Sequence, residues 1–308
     1  MPDPIDTLQT RYPDLFALLE CYFQRMVSLG QTSKQRFWLW RVARLLAEDP
    51  EHWIRDVIGN LDRIAKDVSL DARDAAELRR RLENCLPARL GEYRTSYDDH
   101  VLDAFTEMLG YQYLALKGYV DIHFVPTGTD KAPDLTASPR HGRKPAVMEC
   151  KNVHRSQQER RYFAYSQGTV RQVRVELASP DVARNPLLSK LLDTAGRAVA
   201  QLADYDGDHY RRLVFLNYSP DAQMVILRAD LPHKIERVFG EVAAEVNRQD
   251  AALILTERYD PRSMREFPSP KDKREALEDL LAEEHDLGSW EEIKQSIMQG
   301  KVPRLDAD

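Results

Sequence analysis

The chain has 308 residues, 43% of them hydrophobic, with a formal net charge of −6, which suits one large folded domain or two modest ones and argues against indiscriminate coating of nucleic acid. Cys21, Cys85 and Cys150 have no paired spacing, so neither a disulfide framework nor a zinc knuckle is supported. No segment reaches the apolar length that crosses a bilayer and the N-terminus lacks a secretion pattern, so we expect a cytoplasmic protein without membrane contact.

Residues 1–95 are predicted to form a helical N-terminal region. Apolar residues recur at helical spacing in segments 15–29, 37–46, 53–64 and 75–86. Trp38, Trp40 and Trp53 could stack on nucleic-acid bases, but aromatic residues at helical spacing are more typical of a core. We therefore expect these tryptophans to be buried.

The next helix is predicted from Ser96 to about residue 117, because Ser96 and Asp99 form an approximate capping arrangement and Gly118 ends the apolar pattern. Asp99, Asp103 and Glu107 recur every four residues and form one acidic stripe. Such a stripe is most often a solvated surface. The alternative is that its last member, Glu107, lies near a metal ion.

Three strands follow, at 119–126, in the short segment after Pro133-Asp134, and at 146–151. Period-two alternation places Glu149 and Lys151 on the same face of the third strand. A turn rich in Pro, Gly and Arg joins the second strand to the third, so the two can pair antiparallel. We expect Asp134 to face Glu149 across this hairpin.

Two carboxylates that face each other are unfavourable unless a cation lies between them, and oxygen ligands suit Mg²⁺ or Mn²⁺. Lys151, beside such an ion, could orient or help deprotonate a water molecule, or stabilise charge on a phosphate. The residues are therefore those that metal-assisted phosphodiester hydrolysis requires. The alternative is structural: Glu149 and Lys151 form an ion pair at the rim of the sheet and Asp134 merely begins a strand.

Positive charge is concentrated around this region, because residues 140–174 contain nine Lys or Arg and two Glu. Within an insertion near 152–184, Arg155, Arg160 and Arg161 could contact phosphates and Tyr162 could stack on a base. The alternative is a polar helix that covers the sheet. The sequence alone supports nucleic-acid contact and a covering helix equally.

Two helix–strand units are predicted downstream. Segments 185–205 and 233–248 have helical spacing, and 212–217 and 251–256 read as buried strands. The centre of the chain, 96–265, is thus predicted to be an α/β domain with a mixed sheet flanked by helices. Residues 266–308 are predicted to form an acidic helical tail, since 271–308 contain six basic and eleven acidic side chains.

The order of these elements, with Pro133-Asp134 on one strand and Glu149-Cys150-Lys151 on the next, resembles the PD-(D/E)xK superfamily of restriction-endonuclease-like nucleases. The resemblance implies that Asp134 and Glu149 bind Mg²⁺ (or Mn²⁺), with the Cys150 backbone carbonyl as a further ligand. It also implies that Lys151 positions the hydrolytic water.

Two further motifs are similar to features of that superfamily. Members often carry an acid in the helix before the first strand, and Glu107 matches that position and is predicted to contribute to catalysis and metal binding. The segment from Gln201 to Tyr205 is similar to the QxxxY motif of RecB-type exonucleases. The resemblance implies that the side chains of Gln201 and Tyr205 support the active site.

The sequence therefore predicts a metal-dependent nuclease that acts on DNA, in defence or in repair, with a homodimer or a partner subunit left open. A rival prediction is a catalytically inactive module of the same fold that binds nucleic acid or a protein. A third is an interaction scaffold built on the N-terminal helices and the acidic tail. No phosphate-binding P-loop motif occurs, so ATP hydrolysis would need another subunit.

Overall fold

The structure, a computed structural model, describes residues 4–20, 22–24, 38–84, 96–126, 132–140, 144–153, 186–218 and 231–285. Helices come first along the chain. They are α1 (Pro4–Arg11), α2 (Pro13–Leu18), α3 (Trp38–Glu48), α4 (Ile54–Val68), α5 (Ala72–Asn84) and α6 (Ser96–Leu116).

Six strands then form one mixed sheet with two crossover helices. The elements are β1 (Tyr119–Phe124), β2 (Leu135–Pro139), β3 (Ala146–Val153), α7 (Pro186–Leu202), β4 (Arg211–Tyr218), α8 (Leu231–Asn247), β5 (Ala252–Glu257) and β6 (Asp260–Phe267). The strands lie side by side in chain order. β1, β2 and β3 pair antiparallel, β3, β4 and β5 pair parallel, and β6 returns antiparallel to β5.

The two faces of the sheet bury different cores. The N-terminal helices, α6 and one face of the sheet share one continuous apolar core, to which β3 contributes Met148 and Cys150. The opposite face, which includes Val147, packs against α7 and α8. The N-terminal helices thus bury their apolar residues together with those of the sheet.

Helix α6 lies unusually close to β3 because residue 110 is a glycine. A Cβ atom at Gly110 would lie 2.6 Å from the Cys150 Sγ and 2.9 Å from the Met148 Sδ. Such distances are shorter than side-chain contacts allow, so only glycine permits this approach. The close packing brings Glu107, one turn earlier on α6, towards the end of β3.

The contacts within the chain divide it after Phe267, into one unit of residues 1–267 and a second of residues 268–308. The described part of the second unit is a helix, α9 (Pro270–His285). Its N-terminus is capped reciprocally, since Asp272 N donates to Ser269 Oγ at 3.1 Å and Ser269 N donates to Asp272 Oδ2 at 3.0 Å.

The predicted mixed α/β architecture with flanking helices is confirmed, including the antiparallel β1–β2–β3 meander and both helix–strand units. Two predictions need correction. Strand β6 was not predicted, and Trp53 is not a core residue because 54% of its surface is exposed. Trp40 is buried and Trp38 packs partly against the core.

Candidate active site

Asp134 and Glu149 face each other at the end of the β2–β3 pair. Leu135 pairs with Met148, and continuing this register by one residue places Asp134 opposite Glu149. The Asp134 Oδ2 accepts a hydrogen bond from the Cys150 backbone N at 2.8 Å. The two carboxyl groups are close enough for a hydrogen bond between them if one carries a proton. Two acceptor groups at this spacing require a shared proton or a cation.

Lys151 lies beside both carboxylates. Its Nζ forms an ion pair with Glu149 Oε1 and lies 3.9 Å from Asp134 Oδ2. Burial opposes the charge of Lys151, but the Asp134 and Glu149 carboxylates outweigh it and raise its pKa. The amine therefore stays protonated and acts as a hydrogen-bond donor and a positive charge.

Glu149 is the most deeply buried acid of the group. Its side chain is 0% exposed, and its Oε2 accepts no hydrogen bond from any donor that the structure describes. Burial and the nearby Asp134 carboxylate raise the pKa of Glu149 to about 8. An unsatisfied buried carboxylate oxygen is unfavourable, so this atom needs a cation or a proton as its partner.

Glu107 approaches Asp134 from α6. Its side chain is 12% exposed, and burial together with the Asp134 carboxylate raises its pKa to about 8. Glu107 Oε2 is engaged by Arg81 of α5, through the Nη1 atom. Glu107 thus belongs to the same cluster but has a partner of its own.

Arg81 is the site residue that the sequence did not reveal. Its Nη1 also lies 3.7 Å from Asp134 Oδ1, and its side chain is 7% exposed. Arginine on a helix of the N-terminal region looks like a surface residue in sequence, and its contacts with Glu107 and Asp134 lie 26 and 53 positions away along the chain. A weak signal was available, because Arg81 lies on the buried side of α5 with Leu78 and Leu82.

Cys150 contributes through its backbone. Its thiol is buried beside Gly110 of α6, and burial raises the pKa of that thiol well above its ordinary value. The N–H and C=O of one strand residue point to the same side, so the Cys150 carbonyl faces the Asp134 side, as its N–H does. This placement agrees with the carbonyl ligand that the resemblance implies.

Gln201 and Tyr205 are not brought to this cluster. Gln201 is in the last turn of α7, and Tyr205 packs against Tyr210, with ring centroids 5.6 Å apart. Tyr210 immediately precedes Arg211, which pairs with Ala146 at the start of β3. Lys151 lies five residues further along β3, roughly 16 Å away. The role in the site predicted for these two side chains is therefore corrected, since the parallel crossover sends the end of α7 to the opposite end of the strand.

Arg155, Arg160, Arg161 and Tyr162 lie outside the described residues. The nucleic-acid contacts expected of them stay a prediction.

A second cluster could hold a metal ion. Asp71, Asp74 and His123 offer ligand atoms within 4.8 Å of one another, and in the described ranges they are the one group of three that does so. Asp134, Glu149 and Glu107 do not reach this spacing together, since Arg81 lies between Glu107 and Asp134.

Hydrogen bonds already account for the acids of the second cluster. Asp71 Oδ1 caps α5 by accepting from Arg73 N and Asp74 N, at 2.8 and 3.1 Å. Asp74 Oδ1 accepts from Phe124 N at 2.9 Å, and its Oδ2 lies 3.0 Å from His123 Nδ1. The cluster therefore has a structural role, which is to dock α5 on β1.

Comparisons of the chain with protein-family models, with characterised proteins and with solved structures give no match. Within the described ranges no helix combines the length and the apolar character that a membrane span needs. The functional conclusion therefore depends on the geometry of the cluster around Asp134 and Glu149.

Proposed function

We propose that this protein is a metal-dependent nuclease that hydrolyses phosphodiester bonds of DNA. One observation carries the proposal: Asp134 and Glu149 converge beside Lys151, and the buried Glu149 Oε2 has no hydrogen-bond donor among the described residues. A hydrolytic site needs such groups, and a buried acid held in this way lowers the stability of the fold unless a cation or a proton binds it.

The cluster fits a hard divalent cation, Mg²⁺ or Mn²⁺. Asp134 and Glu149 supply carboxylate oxygens and the Cys150 carbonyl faces the same side, which is the oxygen donor set that these ions prefer. When bound, the ion supplies Lewis-acid polarisation of a phosphoryl oxygen and lowers the pKa of a water ligand.

The chain's own groups would position the reactants. The Lys151 side chain is 32% exposed, so the site is open to solvent beside the buried acids, and the ammonium there can hold the attacking water and the phosphate. The water oxygen loses a proton to solvent and bonds to phosphorus, the bond from phosphorus to the 3′ oxygen breaks, and that oxygen takes a proton from solvent. The products are a 5′-phosphate and a 3′-hydroxyl.

The architecture supports the same assignment. An acid-bearing helix, an antiparallel meander with Asp134 and Glu149 on adjacent strands, and a parallel strand after a helix follow the order of the PD-(D/E)xK superfamily. Fold likeness supports a site only when the side chains also converge, as Asp134, Glu149 and Lys151 do.

A specific observation favours the rival function, an inactive module that binds nucleic acid or protein. Arg81 and Lys151 already neutralise part of the acidic cluster, as they would in a site with only a structural role. Binding of DNA without cleavage under every metal condition would establish this rival.

The test is cleavage of linear duplex DNA, circular DNA, single-stranded DNA and RNA, in Mg²⁺, in Mn²⁺ and in EDTA. We expect metal-dependent cleavage of DNA that Lys151→Ala reduces about 100-fold or more. Lys66→Ala is the matched control, since Lys66 is an exposed lysine on α4, and it should cleave at the rate of the unmodified chain. Equal rates in Lys151→Ala and the unmodified chain would contradict the proposal.

A further inference from the structure

Arg81 is the cation that the N-terminal helices insert into the cluster. We propose, on the basis of the proposed function, that Arg81 takes the place of a second metal ion. The site then holds one divalent cation on the Asp134 and Glu149 side, and Glu107 is the partner of Arg81 instead of a metal ligand.

Arg81 is held in a fixed position by groups outside the acidic cluster. Its Nε donates to Glu77 Oε1 at 3.0 Å, and its Nη2 donates to the Val125 carbonyl. The guanidinium also lies 5.6 Å from the centre of the Phe124 ring. These contacts leave Nη1 directed at Glu107 and Asp134. A guanidinium bound on three sides is a permanent part of the site, unlike a surface arginine that can rotate away.

The charges of the cluster balance for one divalent cation. With every group ionised, the four acids Glu77, Glu107, Asp134 and Glu149 face the three cations Arg80, Arg81 and Lys151, so the cluster carries a net charge of −1. One divalent ion changes this to +1, whereas two would leave +3 in a buried place, which repulsion opposes.

The buried oxygen without a hydrogen-bond donor in the described part of the chain is on the Glu149 side of the cluster. Glu149 Oε2 has no donor among the described residues, whereas Glu107 Oε2 is taken by Arg81. Asp134 lies between them, with Oδ2 towards Cys150 N and Lys151, and Oδ1 3.7 Å from Arg81. A cation can therefore bind the unsatisfied oxygen of Glu149, whereas the positive charge of Arg81 repels a cation at Glu107.

The test is the number of Mn²⁺ ions bound per metal-free full-length chain, measured by titration calorimetry. The ions of this site are counted as those lost when Asp134→Asn and Glu149→Gln are introduced together in the same background, so that binding by Asp71, Asp74 and His123 is subtracted. We expect one ion for the unmodified chain and two for Arg81→Gln. Arg80→Gln is the matched control, because Arg80 bonds to the same Glu77, and it should bind one ion.

The double variant Arg81→Gln with Glu107→Gln should bind one ion, because it removes the acid that the second ion needs. One ion in the Arg81→Gln single variant, with its fold intact by circular dichroism, would overturn the inference. If that variant does not fold, two ions in the unmodified chain would still overturn the inference.

The inference and the proposed function fail in different ways. Two ions in the unmodified chain, together with metal-dependent cleavage of DNA, would overturn the inference and leave the proposed function standing. No ion in either the unmodified chain or Arg81→Gln would overturn both.

Discussion

Asp134 lies one residue before β2 begins, and its carboxylate accepts a hydrogen bond from the backbone N–H of Cys150 at 2.8 Å. Because Glu149 and Lys151 flank Cys150 in sequence, this single bond fixes Asp134 relative to both side chains. The spacing of the candidate site is thus set by the β2–β3 register and not by flexible side chains.

We expect Asp134→Asn to weaken Mn²⁺ binding about 10- to 100-fold, since it removes a charged ligand next to Glu149. Asp71→Asn is the matched control, because Asp71 belongs to the other cluster that could hold a metal. Calorimetric affinities for both variants check the prediction. A loss in Asp71→Asn without a loss in Asp134→Asn would move the metal site to the second cluster.

Stability without metal should fall as the pH rises, because burial and Asp134 raise the pKa of Glu149 to about 8. The folded state then favours the protonated acid. The contribution of protonated Glu149 to the free energy of unfolding is fully present below about pH 4.5, the ordinary pKa of a glutamate. It is lost as the pH rises through about 8. Glu149→Gln cannot ionise, so its melting temperature in EDTA should fall less over this range.

Part of the slope should remain in Glu149→Gln. Glu107 lies in the same cluster and burial also raises its pKa to about 8. Thermal melts from about pH 5 to pH 9 compare the two chains. Melting temperatures that fall equally with pH in the two chains would show that Glu149 is not buried beside the Asp134 carboxylate.

Gly110→Ala should destabilise the protein by about 1–3 kcal/mol, because the added Cβ would meet Cys150 Sγ at 2.6 Å and force α6 away from β3. Denaturant unfolding measures the change. Gly196→Ala is the matched control on α7, where a Cβ meets nothing within 4 Å. It should be stabilising by about 0.5–1 kcal/mol, since alanine is the better helix former.

The pairing of Asp134 with Glu149 could be predicted because it depends on local signals. Alternation on β3 and the turn residues before it determine which side chains share a face, and both are visible within about 20 residues. Strand β6 lacked such signals. The two residues of its turn, Arg258 and Tyr259, have φ of 51° and 62°, values usually adopted by Asn or Gly in a hairpin.

The remaining differences are long-range. Arg81 reaches Asp134 across 53 positions, and no local pattern distinguishes it from an exposed helical arginine. Gln201 and Tyr205 matched a short motif, but the direction of α7 is set by the parallel pairing of β3 with β4. That pairing places Tyr205 beside Tyr210, away from Lys151.

The most direct measurement is the initial rate of DNA cleavage in Mg²⁺ by Asp134→Asn, compared with the unmodified chain and with Asp193→Asn. Asp193 is an exposed acid on α7, so its substitution should leave the rate unchanged. We predict that Asp134→Asn lowers the rate about 100-fold or more. Cleavage by Asp134→Asn at the rate of Asp193→Asn would contradict the account.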